Sequence, residues 1–273
     1  MKNIYITDLD HTFLKTDHTL SDFSVEIWNN KSKHNIVSVA TARSFQKSTE
    51  FLKKLTLNSP MILLDGAMVV TPEKKLIDIK TIDEALANAI IEEGKKFDIH
   101  PFIIALNDIK TLSESFIFST TLNTYQKDVL KNYKNDPRMI KSKNIRAKKL
   151  NFKLVYFGKF EILSLLNTHL QKTFENNLEY KLSPEKYSNG WFLTILHKDS
   201  DKSTALLKVL EYLNQDEKNL TVFGDSINDI GMFKLAPTSI AVSNALEEVK
   251  KEASIVLKRS NDEDAVAHYL KKC

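Results

Sequence analysis

The sequence predicts an α/β fold, with a Rossmann-like parallel sheet core built from both ends of the chain and an α+β unit inserted between them. Three observations lead to this prediction. Short apolar runs alternate with segments of helical periodicity near the N-terminus, the alternation returns near the C-terminus, and the middle of the chain follows a different order. Apolar strands that alternate with helices indicate βαβ units and a parallel sheet buried on both faces.

The N-terminal part contains three apolar runs that end in polar residues. They are Ile4 to Ile6 before Asp8, Ile36 to Ala40 before Thr41, and Met61 to Leu64 before Asp65. A helix is predicted between the first two runs, because Phe23, Ile27 and Trp28 have helical spacing. Together these elements form the first half of the predicted parallel sheet.

The C-terminal part repeats this pattern. Its predicted strands are Leu220 to Phe223, Ile240 to Val242 and Ile255 to Leu257. A last helix follows them, and Asn261 or Asp262 is expected to cap it. These strands complete the core, which we expect to comprise residues 1–82 and 189–273.

The middle of the chain predicts a separate α+β unit over residues 83–188, with Asn189-Gly190 as the return hinge. Its predicted elements are a helix from Glu84 to Phe97, strands from Phe102 to Leu106 and Phe116 to Ser119, a helical stretch near Tyr125 to Tyr133, a strand from Asn151 to Phe157, and a helix from Glu161 to Phe174. These residues mix strands and helices without the regular alternation of the core.

The composition is that of a globular protein with few special requirements. The chain of 273 residues has 39 Lys and Arg against 35 Asp and Glu, a net charge of +4, which is too small an excess to predict a nucleic-acid partner. The single cysteine, Cys273, cannot form an intramolecular disulfide, and no apolar run reaches the length of a membrane span. We therefore expect a cytoplasmic protein with no nucleic-acid or membrane partner; oligomeric state is not predicted.

Acidic residues follow the predicted strands at both ends of the chain. Asp8 and Asp10 follow the first strand, and Asp225 and Asp229 follow Leu220 to Phe223. Each pair alone is explained by turn or capping chemistry, and a hydroxyl such as that of Thr41 often caps a helix. In open α/β sheets, however, the carboxyl ends of the strands meet in one crevice. Four converging carboxylates require a counter-cation, and oxygen ligands favour Mg²⁺.

Four segments, in order along the chain, resemble the motifs of the haloacid dehalogenase superfamily of phosphatases. They are DLDHTF at 8–13, TAR at 41–43, DKSTAL at 201–206 and GDSINDIGMF at 224–233, and AVSNA at 241–245 is similar to the segment that follows in that family. The resemblance is to the Cof-like branch, whose members carry a large inserted cap domain of the C2 type. It implies that residues 83–188 form a cap that selects the substrate.

The resemblance also implies roles for individual residues. Asp8 is the nucleophile that becomes an aspartyl phosphate, and Asp10 is the general acid and base. Asp8, the Asp10 backbone carbonyl and Asp225 are expected to hold Mg²⁺, supported by Asp229 directly or through water. The expected phosphate-binding residues are Thr41, Ala42, Lys202 and Asn228, with Arg43 and His11 as further substrate contacts. The expected substrates are small phosphorylated metabolites, such as sugar phosphates or phosphorylated cofactors.

Two positions depart from the family pattern, and two segments have competing interpretations. His11 and Ala42 stand where glycine is common, and the His11 side chain is expected to face either substrate or solvent. Lys202 alone would be read as a solvated charge ahead of a helix from Ser203 to Leu213. The basic segment from Arg138 to Lys149 is interpreted as a solvated loop, with contact to a phosphate-rich substrate or nucleic acid as the alternative.

Two other functions are compatible with these residues. A phosphomutase could use the same nucleophile and return the phosphoryl group to a second substrate position. A phospho-acceptor or binding module without turnover could use Asp8 alone, but it would not need Asp10 or Lys202. A requirement for a bisphosphate activator would indicate the first, and absence of repeated turnover would indicate the second.

Overall fold

The computed structural model describes residues 2–184 and 190–273. The chain divides into two compact units, one formed by Met1–Ile79 with Asp201–Cys273 and the other by Lys80–Ser200. The limits of the insert expected from the sequence are Asp83 and Ser188. Ser188 and the expected hinge residue Asn189 lie outside the described residues, and the second unit includes the strand Trp191–His197. Selection of the substrate by this unit stays a prediction.

The strands, in chain order, are β1 (Ile4–Thr7), β2 (Ile36–Val39), β3 (Met61–Leu63), β4 (Met68–Val70), β5 (Leu76–Ile79), β6 (Phe102–Asp108), β7 (Ser113–Ser119), β8 (Met139–Ser142), β9 (Leu150–Gly158), β10 (Leu178–Pro184), β11 (Trp191–His197), β12 (Leu220–Gly224), β13 (Thr238–Ala241) and β14 (Ile255–Val256). The helices are α1 (Asp22–Ser32), α2 (Phe45–Leu52), α3 (Glu84–Lys95), α4 (Thr124–Leu130), α5 (Phe160–Phe174), α6 (Lys202–Leu213), α7 (Ile230–Leu235), α8 (Glu247–Glu252) and α9 (Ala265–Lys272).

The first unit is built on a parallel sheet with strand order β14-β13-β12-β1-β2. Strand β1 pairs in parallel with β12 on one side and β2 on the other, so segments more than 200 residues apart become neighbours. All four residues of β1 are buried. The predicted α/β core with a parallel sheet is confirmed, and the strands that precede the acidic residues lie side by side at its centre.

Strand β3 differs from the expectation that it would continue the parallel sheet. It pairs antiparallel with β4, and β4 pairs antiparallel with β5, in a separate three-stranded sheet. One parallel bridge, between Ala40 and Ile62, connects it to the end of β2. Three apolar residues suffice to identify a strand, but they do not specify its partner. The next apolar run, which begins at Met68, is nearer in sequence than the strands of the parallel sheet, and β3 pairs with it.

The second unit contains a six-stranded sheet with the order β10-β11-β9-β6-β7-β8. Its strand pairs are antiparallel except β7 with β8. Helices α3 and α5 contribute Ile90 and Leu166 to the buried core, which includes Leu154 and Ile195 of the sheet. Among residues 2–184 and 190–273, no helix has the length and apolar composition needed to cross a membrane.

The last helix, α9, begins later than expected. It starts after Asp264, while Ser260 and Glu263 form a capping box on the short 3₁₀ turn at Asn261–Glu263. Asn261 and Asp262, the two residues expected to cap α9, make hydrogen bonds to the segment Leu14–Thr16 instead. The Asn261 side chain donates to the Leu14 carbonyl (3.0 Å), and the Asp262 carboxylate accepts from the Thr16 backbone N–H (2.8 Å).

The basic segment from Arg138 to Lys149 is not uniformly solvated. The Arg138 guanidinium is 6% exposed and lies between two carboxylates, with Nη1 2.9 Å from Glu114 Oε2 and Nη2 2.6 Å from Asp136 Oδ2. Burial lowers the pKa of Arg138, but the hydrogen bonds and charges of Asp136 and Glu114 outweigh burial and raise it. Arg138 is therefore an internal ion-pair partner, whereas Lys141, Lys143, Lys148 and Lys149 are exposed.

Replacing Arg138 should destabilise the protein, because it removes the buried guanidinium group that lies between the Glu114 and Asp136 carboxylates. We expect Arg138→Met to lower the free energy of unfolding by about 3–5 kcal/mol in denaturant titrations. The matched control is Lys143→Met, an exposed residue of the same segment, for which the change should stay within about 0.5 kcal/mol. Equal losses in the two variants would contradict the buried ion pair.

Candidate active site

Asp8 lies at the carboxyl end of β1, where backbone contacts fix its position. Its N–H donates to the Phe223 carbonyl of β12 (3.0 Å), and the Thr7 hydroxyl donates to the Asp8 carbonyl (2.7 Å). A short turn over Leu9–Phe13 follows, in which Asp10 and His11 leave helical geometry. The Asp8 side chain is nearly fully buried, so the sheet delivers a carboxylate that has little contact with water.

Asp225 and Asp229 occupy the loop that follows β12. The backbone N–H groups of Asp225 and Ser226 donate to Asp229 Oδ2 at 3.0 and 3.1 Å, which locks the Asp229 carboxylate against the loop. Gly224 permits this approach, since a Cβ atom at that position would lie 2.5 Å from the Asp229 carboxylate. Asp225 accepts a hydrogen bond from the Thr12 hydroxyl (3.1 Å), and both acids are buried.

Lys202 joins the two acidic loops. It is the first residue of α6, and Asp201 caps the helix by accepting from the Ser203 N–H (2.7 Å). The Lys202 side chain has no exposed area, and its Nζ donates to Asp8 Oδ1 and to Asp229 Oδ1, both at 2.7 Å. Burial lowers the pKa of Lys202, but the charges of the surrounding carboxylates outweigh burial and raise it. The solvated surface charge weighed as an alternative for Lys202 is therefore wrong.

Asp8, Asp225 and Asp229 each offer a carboxylate oxygen, and the three oxygens lie within 4.8 Å of one another. Burial and the charges of Asp229, Asp225 and Asp10 raise the pKa of Asp8 well above its usual value, although Lys202 opposes them. A buried group of oxygen donors with excess negative charge fits a divalent cation. The Asp10 carboxylate is not a member of this group.

The Asp10 carboxylate is held by the Arg43 guanidinium instead, with the His18 ring beside it. Arg43 donates from Nε to Oδ2 (2.8 Å) and from Nη2 to Oδ1, and His18 Nδ1 lies 3.3 Å from Oδ1. The Arg43 guanidinium also lies over the Phe51 ring, 4.1 Å from its centre. Burial raises the pKa of Asp10, but Arg43, with smaller contributions from His18 and His11, holds it below its usual value.

The positions at which glycine was expected have different surroundings. His11 has a left-handed backbone (φ 58°), which glycine adopts without the steric cost that other residues meet, and its carbonyl accepts from Asn244 Nδ2 (2.8 Å). The His11 side chain is half-buried, and Ala42 is exposed. Thr41 is buried, and its hydroxyl accepts from the Arg43 N–H (3.1 Å). Because Ser44 occupies the N-cap position of α2, Thr41 is not the cap of that helix.

Sequence reasoning missed Asp65 as a site residue. Asp65 is 5% exposed, and its Oδ1 accepts from Asn228 Nδ2 (2.8 Å). The neighbouring Gly66 (φ 94°) lets this turn reach the start of α6, since a Cβ there would lie 2.2 Å from the Asp201 carbonyl oxygen. The available signal was an acid after an apolar run, in the same kind of position as Asp8 and Asp225.

Comparison with known proteins gives the same assignment throughout the chain. The family of haloacid dehalogenase-like hydrolases matches residues 5–270. The 5-amino-6-(5-phospho-D-ribitylamino)uracil phosphatase YitU of Bacillus subtilis is 22% identical, with 97% of this chain and 95% of that protein covered. The putative phosphatase MG265 of Mycoplasma genitalium is 26% identical, covering 100% and 98%. The crystal structure of TM0651 from Thermotoga maritima has a TM-score of 0.82 at 25% identity, covering 100% and 98%.

The protein has an α/β fold, and a group of carboxylates surrounds a buried lysine at the carboxyl ends of its parallel strands. The chain belongs to the haloacid dehalogenase-like hydrolases. Within that family it is a phosphoric monoester hydrolase, as the names of its relatives, phosphatases over the full length of the chain, indicate.

The carboxylate group should bind a divalent cation in the absence of substrate. We expect Mg²⁺ to raise the melting temperature, because saturation at ~100 times the dissociation constant adds about 2.7 kcal/mol to the free energy of unfolding. Asp225→Ala should weaken the affinity measured by calorimetry, whereas Asp216→Ala, which removes an exposed acid of the same unit, should not. Equal affinities in the two variants, or no binding by the unaltered protein, would contradict the site.

Proposed function

We propose that the protein hydrolyses small phosphomonoesters through an aspartyl phosphate on Asp8, with Mg²⁺ bound beside it. The observation that carries this proposal is the Lys202 ammonium group, held at 2.7 Å from both Asp8 and Asp229. A buried carboxylate beside a buried cation is arranged for attack on an anionic centre, since the cation offsets charge that would otherwise repel the substrate.

The substrate class is supported by two relatives that span nearly the whole chain. The Bacillus subtilis proteins YitU and YwtE, 22% and 26% identical, are named as phosphatases of 5-amino-6-(5-phospho-D-ribitylamino)uracil. That compound is a small phosphomonoester of a sugar-like chain. We infer substrates of this class, namely sugar phosphates or phosphorylated cofactors. The phosphatase names also favour transfer to water over the phosphomutase alternative.

Asp8, Asp225 and Asp229, with the Asp10 backbone carbonyl, would hold the Mg²⁺. When bound, the ion offsets the charge of these carboxylates and of the phosphoryl oxygens. The donor set supports this assignment, because the three side chains involved all supply carboxylate oxygens and are buried together. Lys202, Thr41, the Ala42 backbone and Asn228 are then left to bind the other phosphoryl oxygens.

The reaction proceeds in two balanced halves. A carboxylate oxygen of Asp8 attacks phosphorus, the bond from phosphorus to the ester oxygen breaks, and Asp10 gives its proton to the leaving oxygen. In the second half, Asp10 takes a proton from water, the water oxygen attacks phosphorus, and the bond between phosphorus and the Asp8 oxygen breaks. Inorganic phosphate leaves, and both aspartates return to their starting protonation states.

The contacts of Asp10 with Arg43 and His18 affect its protonation state, which differs between the two halves of the reaction. Arg43 and His18 occupy both of its oxygens, an arrangement that favours the ionised form suited to the second half. Protonation of Asp10 for the first half weakens its contacts with Arg43, because a neutral carboxyl group attracts a guanidinium less than a carboxylate does. We infer that Arg43 moves to the anionic substrate as it enters, which releases Asp10 and makes Arg43 a substrate contact.

The acid and base role of Asp10 predicts which half of the reaction fails when it is replaced. With p-nitrophenyl phosphate the leaving group needs little acid assistance, so Asp10→Asn should still form the phosphoenzyme. Attack by water lacks its base and should slow by on the order of 10²–10⁴-fold. Radiolabelled phosphate should therefore accumulate on this variant to near one equivalent in a quenched single-turnover experiment.

The control for this experiment is Asp8→Asn, combined with Asp10→Asn in one protein. The double variant should retain no label, because the acceptor atom is absent. Label that persists in the double variant would assign the nucleophile to another residue. Turnover by Asp10→Asn at the unaltered rate would remove Asp10 from the mechanism.

A further inference from the structure

Asp65 is a buried acid with no part in the reaction described above. It follows β3 with a left-handed backbone (φ 58°), a conformation that aspartate tolerates better than most residues. Its backbone N–H donates to the Thr41 carbonyl (3.1 Å), and its side chain accepts from Asn228, 163 positions further along the chain. A carboxylate at 5% exposure is costly without such partners, so its contacts indicate its role.

The Asn228 amide is held at both ends. Its Nδ2 donates to Asp65 Oδ1 (2.8 Å), and its Oδ1 lies 2.6 Å from the Ser226 hydroxyl, which donates to it. When Asp65 is ionised its carboxylate only accepts, so the amide nitrogen of Asn228 faces it. One N–H of the amide is used by Asp65, and the other has no hydrogen-bond partner within residues 2–184 and 190–273, so it is available to a ligand.

The charge of Asp65 acts against the binding of an anion. It adds a negative group to a site that already contains Asp8, Asp225 and Asp229, and it lies close enough to Lys202 to interact with it. Like charges weaken the binding of a phosphoryl group. A neutral acceptor would hold the amide without this penalty, so electrostatic attraction of the substrate does not explain the acid.

We propose that Asp65 is a positioning residue of the phosphoryl site, acting through Asn228, whose amide it orients so that the remaining N–H meets a phosphoryl oxygen. The proposal rests on the function proposed above, which assigns Asn228 to that group. A purely structural role is the alternative, in which Asp65 only ties its turn to the loop at Thr41. That tie is made by backbone atoms and survives replacement of the side chain.

The test separates the side chain from the backbone. Asp65→Gly keeps access to the left-handed conformation and removes the carboxylate, whereas Asp65→Asn keeps an acceptor oxygen. Binding of inorganic phosphate to the full chain with Mg²⁺ is measured by calorimetry, together with kcat and KM for p-nitrophenyl phosphate. Asp65→Gly should weaken phosphate binding and raise KM by about tenfold, with kcat changed by less than about threefold.

Three further variants test whether the loss of phosphate affinity arises from the contact between Asp65 and Asn228. Asp65→Asn should recover phosphate affinity to within about threefold of the unaltered protein. In an Asn228→Ala background, Asp65→Gly should add less than about twofold, because two residues that act through one contact are not additive. The matched control is Asp264→Gly, another left-handed aspartate of the same unit (φ 55°), whose carboxylate accepts from Ser21 and Ser24. It should lower stability and leave phosphate affinity unchanged.

Three results would overturn the proposal: independent, multiplying effects of Asp65→Gly and Asn228→Ala; a loss of stability in Asp65→Gly without a change in phosphate affinity; or no phosphate binding by the unaltered protein. If Asp65→Gly does not fold, Asp65→Ser replaces it, since its hydroxyl is one bond shorter than the carboxylate. Phosphate binding without turnover by the unaltered protein would contradict the proposed function and leave the role of Asp65 standing.

Discussion

The Lys202 ammonium group has no exposed area and lies between Asp8 and Asp229, and the rest of the site depends on this contact. A buried ammonium group without carboxylate partners would cost several kcal/mol, so α6 has to begin where the two acidic loops meet. Gly66 permits the close packing of a turn against the start of α6, and Gly224 permits the approach of Asp229 to its own loop. Both glycines therefore serve the same contact.

The balance of charge explains how two aspartates only two residues apart acquire different properties. Burial, together with carboxylates that one lysine does not neutralise, raises the pKa of Asp8, and the group favours a divalent cation. Asp10 faces Arg43 and His18, so its pKa is lowered. The proposed roles need the reverse, an ionised nucleophile and a protonated acid, so they require a cation bound beside Asp8 and the release of Asp10 from Arg43.

Sequence reasoning located the acids of the site because each follows an apolar run, and parallel strands bring their carboxyl ends together. It could not establish the burial of Lys202, since a charge ahead of a helix has the same local pattern whether solvated or enclosed. The role of Asp65 and the burial of Arg138 were missed for a related reason. Their partners, Asn228 and Glu114, come from other strands or loops, and a local pattern does not identify such partners. The same applies to β3: its own residues do not determine whether it joins the parallel sheet or pairs antiparallel with β4.

The proposed reaction passes the phosphoryl group through the Asp8 carboxylate, and chemical trapping tests this transfer directly. The protein is quenched during turnover of p-nitrophenyl phosphate and treated with borohydride, which reduces an acyl phosphate to an alcohol. Peptide mapping by mass spectrometry should then find homoserine at position 8, and no conversion in protein quenched without substrate. Homoserine at another position, or an unchanged Asp8 in protein that is releasing phosphate steadily, would contradict an aspartyl phosphate on Asp8.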